Sequence, residues 1–455
     1  MYNAYVTRIK NLRKHPNADR LQLGECFGNT VCVSLEYADN QLGVYFPCDG
    51  QLSVEFAEAN NLLRKKDDAG NNCGGYMDPS KRNVTAIRLR GEKSDGLFLP
   101  LTCLESFGDV STLKEGDVIN TFNGHEICCK YIPRRNHRQG HVSDGNRTRK
   151  KKVDVAPLFA EHADTEQLAY NLGAFKPGDE IEITLKMHGT SQRTGYLPVF
   201  KGYKRTFKDW LLRRDGKPIY DWGYVSGTRR TVLDNYDGGY YGSNEFREQH
   251  SKTFEGKLWK GETVYYEVVG FTHTGAPIMA EGNNEKLGKD FVKQYGKTTV
   301  FSYGCDSVGG IDHDGVPYGP ESDIYVYRMT MTNEDGAVVE YTPDFMRYRC
   351  EQMGVKTVPV MWKGVIPAHT GDAAAIRLGQ DAGAWIKEKA EQYYDGPDPI
   401  GKTHVREGVV VRILNRPKFT AFKHKNHNFK MISGIIVDEI ADSNVEISDE
   451  ILAEL

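Results

Sequence analysis

The chain has 455 residues, 39% hydrophobic and 27% charged, with a net charge of −3 and a mean hydropathy of −0.56. This length allows two or three domains with sizeable cores. The balance excludes a polycation, and no apolar run approaches the roughly 20 residues that span a bilayer. The start, Met1-Tyr2-Asn3-Ala4-Tyr5-Val6, lacks a basic segment followed by an apolar one, so no secretory leader and no membrane partner are expected, and a cytoplasmic location is. Nine scattered cysteines without a CxxC pair argue against a disulfide framework and against zinc-ligand spacing.

Residues 1–125 read as short alternating strands punctuated by Gly and Asn turns: Asn29–Leu35, Gly43–Phe46, Thr85–Gly91, Ser94–Pro100 and Leu113–Ile119. Several such strands in so short a span predict a small β-barrel. The stretch 126–154 is the best linker. From Lys130 to Lys152 it carries nine Lys/Arg against the single acid Asp144, a patch able to hold phosphates or simply a solvated run. Residues 155–455 read as α+β. Polar, aromatic insertions are expected at about 197–225 and 371–400, and Ala373–Leu378 and Ala384–Ala390 have helical composition. The acidic end from Asp438 reads as a closing helix or a loose tail. Trp210, Trp222, Tyr240 and Tyr241 are candidates to stack on bases, with core packing as the alternative.

The most informative segment lies near position 186. An alternating strand, Asp179–Leu185, ends on Lys186, and Met187-His188-Gly189-Thr190-Ser191 then suits a tight turn. An exposed lysine, with a pKa of about 10.4, is a poor nucleophile at neutral pH. Burial or neighbouring cations lower that value and supply free amine. Four further segments provide such a setting. Val225–Arg230 is a turn with paired arginines, and Thr263–Gly270 is a strand with Glu267 set in an aromatic, β-branched run. Arg406–Arg412 opens a strand on Glu407, and Ala421–Lys425 puts Lys423 and Lys425 two apart, on one strand face. Glu267 shares its face with Tyr265 and Val269, an unfavourable place for an unpaired charge. Cations that neutralise phosphates and carboxylates that hold a divalent metal or ribose hydroxyls suit a nucleoside triphosphate. A metal site at His424 and His427 is the weaker option, because hard Mg2+ prefers oxygen ligands.

In order, Lys186-Met187-His188-Gly189-Thr190, Ser226-Gly227-Thr228-Arg229, Tyr265-Tyr266-Glu267-Val268-Val269-Gly270, Glu407-Gly408-Val409-Val410-Val411 and Lys423-His424-Lys425 resemble motifs I, Ia, III, IV and V of the covalent nucleotidyltransferases. These are the ATP-dependent ligases and mRNA capping enzymes. His188 is similar to the RNA ligases, where DNA ligases usually carry Asp. The stretch Asn11–Leu21, with His15-Pro16-Asn17-Ala18-Asp19-Arg20-Leu21, resembles tRNA-binding OB domains. An OB domain placed ahead of the transferase is similar to the Deinococcus-type nick-sealing RNA ligases.

The resemblance implies an α+β protein with an N-terminal OB-fold β-barrel at 1–125, a basic linker at 126–154, and a nucleotidyltransferase domain at 155–455 built of ATP-grasp-like antiparallel sheets with flanking helices. It implies an ATP-dependent RNA ligase that joins 3′-hydroxyl and 5′-phosphate ends through lysyl–AMP and adenylylated nucleic acid. The alternatives are a DNA ligase, a capping-type guanylyltransferase or a non-catalytic RNA-binding protein. Lys186 is implied as the nucleophile, Lys423 and Lys425 as grips on the α-phosphate, Glu267 as a ligand to the ribose or the metal, and Glu407 as a ligand to Mg2+ or Mn2+. Leu185, His188, Gly189, Thr190, Arg229 and either Tyr325 or Tyr327 are implied around the nucleotide, with Arg229 or Arg230 on a phosphate. Ser191 departs from the family by standing where DNA ligases carry arginine. The implied partners are ATP and RNA ends, as in a nicked duplex, and the chain is expected to be a monomer.

Overall fold

The computed structural model describes residues 2–65, 75–131, 153–162, 165–211, 216–233, 236, 244–311, 313–367 and 382–434. Residues 132–152 of the stretch expected as a linker, the Ala373–Leu378 segment, Tyr240, Tyr241 and the acidic end from Asp438 lie outside them. The described chain is mixed α+β, with mostly antiparallel sheets and few helices.

In the N-terminal region Leu42–Phe46 sits between Ala4–Arg8 and Leu97–Pro100, and Val118–Ile119 closes the far edge of a four-stranded sheet. Alternation puts Ala4, Val6, Val44 and Phe46 inward, all 0% exposed, where they meet Leu52 and Phe56. The His15 stretch is a turn between the strands Lys10–Lys14 and Leu21–Cys26. His15 is buried, with its Nε2 3.1 Å from the Leu89 carbonyl oxygen, and its Nδ1 accepts the Asn17 N–H at 3.0 Å. In this structure that histidine shapes a turn.

Beyond residue 153 two sheets dominate. One has the order Glu166–Gln167, Thr420–Lys425, Gly408–Ile413, Glu180–Lys186, Val360–Val365. The other runs Lys217–Gly227, Thr190–Lys204, Glu262–Gly270, Ser322–Thr332, Val338–Glu340, with Lys356–Thr357 parallel beside Ser322–Thr332. Only Met187-His188-Gly189 separates Lys186, the end of a strand in the first sheet, from Thr190, the start of one in the second. The candidate nucleophile therefore sits where the chain crosses between sheets.

The region expected as an insertion at 197–225 is largely β-structure. Thr190–Lys204 and Lys217–Gly227 pair residue by residue as a long hairpin on the edge of the second sheet. The second region expected as an insertion contains a helix at Ala382–Glu391, as the composition of 384–390 suggested, with Ile386 and Ala390 at 0% exposure against Val409 and Val411. Helix Pro343–Met353 is bounded by local chemistry. Thr342 caps its first turn by accepting the Phe345 N–H, Pro343 opens it, and Gly354 ends it at φ +70°. Among the described residues no helix is long and apolar enough to cross a membrane.

Candidate active site

Lys186, His188, Arg229, Glu267, Glu407 and Lys423, brought from five separate stretches of sequence, line one small cavity. The ladder explains this convergence. Lys186 pairs with Gly408 and Gly408 with Lys425, so the ends of three adjacent strands place Lys186, Glu407 and Lys425 side by side. Glu407 is the hub. Its Oε1 lies 2.7 Å from Lys186 Nζ and 3.6 Å from Lys425 Nζ, while its Oε2 faces His188 Nδ1 at 3.6 Å. Burial pushes the Glu407 carboxyl upward, but Lys186, His188 and Lys425 more than reverse this and hold it well below the usual carboxylate range. Its buried Oε2 has no hydrogen-bond partner, which is the kind of oxygen a cation would satisfy.

Lys423 shows the opposite perturbation. Burial first, then Lys425 and Lys186, lower its pKa to about 7. A lysine depressed in the folded state is charged in both states below pH 7 and neutral in both above about 10.4. The penalty for holding its charge is therefore complete below pH 7 and is relieved as the pH rises. Lys423→Met is expected to unfold about 1–2 kcal/mol less readily than wild type at pH 6, after discounting for solvent screening. The gain should vanish toward pH 10 in denaturant titrations, and a gain unchanged with pH would refute the shift.

His188 is buried between Phe301 and Phe429, with ring centroids 4.5 and 4.8 Å away, and its backbone N–H donates to Tyr303 Oη at 2.6 Å. Burial lowers its pKa against the pull of Glu407, so the ring is neutral at pH 7. Gly189 passes so close to the neighbouring strand that a Cβ would lie 2.4 Å from the Val268 carbonyl oxygen and 2.8 Å from Val269 Cγ1. Gly189→Ala is expected to cost about 1–3 kcal/mol in a thermal melt and to shift Lys186 off its pairing; an unchanged melting temperature would count against this close approach. Thr190 Oγ1 accepts from the guanidinium of Arg247, which is 1% exposed and also donates to the Ser191 carbonyl at 3.2 Å. Arg247 thus fixes the turn from behind, a role no motif announced.

An adjoining cavity of about 100 Å3 shares Lys186, Arg229 and Glu267 with the first and is also lined by Leu185, Met346, Val358, Val410 and Phe419, and by Glu182, Arg347 and Arg412 among them. Phe419 is held between two guanidinium groups, Arg328 at 4.8 Å and Arg412 at 4.9 Å from its ring centroid. Tyr327 lines this cavity, with its Oη 2.9 Å from Ser191 Oγ and its ring against His162 at 5.2 Å. Tyr325 is instead part of the core, with Lys356 Nζ 5.7 Å from its ring centroid. A β-bulge separates the two: Tyr265 faces Arg328 and Tyr266 faces Val326, so Tyr327 is the extra residue and is re-aimed. Of the paired arginines, Arg229 lines the cavity and Arg230 is exposed. His162 and Thr165, which the sequence reading missed, line both cavities.

A third, larger cavity of about 630 Å3 lies between the N-terminal region and this site. Arg229, Lys423, Lys425 and Lys430 form one wall, and Asp49, Asp95 and Lys130 are among those on the other. Asp95 links the two regions through Lys430 Nζ at 2.6 Å and accepts from Cys48 Sγ at 3.0 Å. His424 and His427 do not form a metal site. His424 stacks on Tyr394 at 4.9 Å, and among the described residues no group of three His, Cys, Asp or Glu side chains converges on one point. Glu267 and Glu407 line the same small cavity. Two carboxylates, one of them with an oxygen that makes no hydrogen bond, fit a Mg2+ or Mn2+ ion, which takes oxygen ligands.

No known sequence family matches the chain. No curated protein matches it either. Solved structures share the fold. Naegleria gruberi RNA ligase with pyrophosphate aligns at 17% identity and a TM-score of 0.52, over 94% of this chain and 97% of that one. The same ligase with AMP and Mn, in a glutamate-to-alanine variant, gives 15% identity and 0.52 over 94% and 97%. A lysine-to-alanine variant with ATP and Mn gives 15% and 0.51 over 94% and 98%. At such identities the likeness establishes a common fold across nearly the whole of both chains.

Proposed function

We propose that this protein is an ATP-dependent RNA ligase. The observation that carries the reading is the convergence of Lys186, Glu407, Lys423 and Arg229 on one cavity, with Lys425 Nζ 3.6 Å from Glu407 Oε1, beside a second cavity that shares Lys186 and Arg229 and is lined by Tyr327 and several apolar side chains. That combination is a fixed amine beside phosphate-neutralising cations, with room for a base. The solved ligase that shares this fold has been captured with ATP, AMP and pyrophosphate.

The Lys186 amine attacks the α-phosphorus of ATP, a phosphorus–nitrogen bond forms, and pyrophosphate departs with the cleaved oxygen bond. The adenylate then passes to a 5′-phosphate end, and a 3′-hydroxyl displaces AMP as the phosphodiester closes. Lys423, whose pKa burial and the neighbouring Lys425 and Lys186 lower to about 7, lines the same cavity as the nucleophile. Lys423, Lys425 and Arg229 hold phosphate charge. Tyr327, Phe419 and Leu185 enclose the base. Glu267 and Glu407 would hold Mg2+ or Mn2+, which supplies charge neutralisation at the α-phosphate.

In the fuller proposal, residues 1–125 are an OB-fold module that grips nucleic acid with the basic 126–154 linker, residues 155–455 are the transferase domain, the substrate is a nicked RNA duplex, and the protein acts as a cytoplasmic monomer, like the Deinococcus-type ligases. Intact-mass spectrometry after incubation with ATP or GTP and Mg2+ tests the central claim. An added adenylate with ATP supports it. A guanylate would move the protein to the capping class, and no adduct with either nucleotide would remove the reading.

A further inference from the structure

The long hairpin on the edge of the second sheet has no part in the chemistry above. Its strands pair from Arg193↔Gly227 to Lys204↔Lys217, yet the inner strand Glu262–Gly270 supports it only as far as Gly195↔Thr263. From Tyr196 to Lys204 it runs on beyond the sheet as an arm, backed in its first half by the 155–159 segment, which buries Leu197 and Val199 and accepts the Phe200 N–H at Val155 at 2.8 Å, and two-stranded from Lys201 onward. At about 3.3 Å per residue this part spans roughly 30 Å, close to one turn of a nucleic-acid duplex, ~34 Å. Isolated two-stranded ribbons are marginal in water. This one is stiffened by stacked rings, Tyr196 on Tyr224 at 4.7 Å and Tyr196 near Trp222 at 5.8 Å, and by Tyr220 Oη donating to the Asp154 carbonyl at 3.0 Å. A bulge at Phe200/Gly202 bends it midway.

The far end is unusual in composition. Phe207 is 76% and Leu211 65% exposed, beside the exposed Lys201, Lys204 and Lys217. Between Lys201 and Lys217 the sequence holds seven Lys/Arg against Asp209 and Asp215. Exposed rings and apolar side chains set among cations suit a polyanion with flat bases better than a neutral apolar partner. The near end is anchored at the reacting centre, because Gly227 ends the strand two residues before Arg229, which lines the catalytic cavity.

We propose that this arm is a duplex clamp: it lies along the nucleic acid beside the break, its lysines on phosphates and its apolar end against the groove or an exposed base. This rests on the ligase reading. The test is Lys201→Glu/Lys204→Glu/Lys217→Glu, alongside Phe207→Ser, in the full-length protein with a nicked RNA duplex as probe. In the triple variant adenylate formation from ATP should stay within about twofold of wild type, because the substitutions lie outside the cavity. Duplex affinity should fall at least tenfold, and the slope of log affinity against log salt should become shallower by about 2–3, one for each lost phosphate contact. Phe207→Ser should weaken binding a few-fold at an unchanged salt slope. Undiminished affinity and slope in the triple variant overturn the clamp. So does a Phe207→Ser protein that binds duplex normally but changes from dimer to monomer, which would make the arm a contact between copies. Wild-type protein that takes up no adenylate would instead sink the ligase reading, and the binding measurements judge the arm separately.

Discussion

Lys186→Ala is expected to lose transfer of adenylate from ATP to the protein by more than three orders of magnitude, while retaining the ability to close a nick supplied with its 5′ end already adenylylated. Covalent catalysis divides one difficult displacement into easier ones and places the nucleophile in only some of them. The closing step needs a 3′-hydroxyl, an adenylylated phosphate and charge stabilisation; the amine is not a reactant. Lys186→Arg separates charge from nucleophilicity. A guanidinium keeps a cation for Glu407, which accepts Lys186 at 2.7 Å, but does not deprotonate in a protein. It should therefore fold as wild type and be as inactive as the alanine variant in adenylate formation. Labelled protein from α-labelled ATP, read on denaturing gels, gives the first step, and sealing of the pre-adenylylated nick gives the last. Label persisting in both variants would mean that another side chain is the nucleophile.

The parts of the site legible in sequence were those whose chemistry is local. Strand alternation ending on a lysine marked Lys186, and a carboxylate in an otherwise apolar strand marked Glu267, because each conflict between residue type and position is visible within a few residues. What could not be read depended on register and on distant neighbours. Tyr325 and Tyr327 are indistinguishable by period-two reasoning, and only the bulge opposite Tyr265 and Tyr266 separates core from cavity. Arg229 and Arg230 differ by the last turn of a strand end. His162, Thr165, Arg247 and Phe419 carry no pattern, since each reaches the site through tertiary packing. The hairpin escaped reading for a related reason. Its inner strand does alternate, with Leu197 and Val199 buried and Pro198 and Phe200 half-buried, but the outer strand is exposed or half-buried from Lys217 to Tyr224, so the pattern is missing from one of the two paired strands.

Glu407→Gln is expected to have the second largest effect, and to act on both stability and activity. Glu407 has 1% of its side chain exposed, and it faces Lys186, Lys425 and His188, the last two also nearly buried at 5% and 9%. Replacing the carboxylate with an amide of the same shape removes the negative charge that faces the buried Lys425 ammonium and that of Lys186. Breaking such a pair from one side costs about 3–5 kcal/mol, and the amide's remaining dipole should return part of that. The dependence on pH distinguishes lost charge from lost packing. The folded-state pKa of Glu407 is depressed, so its contribution is complete above its unfolded value of about 4.3 and is lost as the pH falls toward the lower folded value. The stability gap between wild type and Glu407→Gln should accordingly be wide near pH 6 and close progressively below pH 4 in denaturant titrations. Adenylate formation should fall at least a hundredfold at every pH where the variant is folded. A gap independent of pH would instead assign the loss to hydrogen bonding and not to charge, because Gln and Glu fill the same volume and no cavity opens, and a variant that keeps near-normal adenylate transfer would remove Glu407 from the catalytic set.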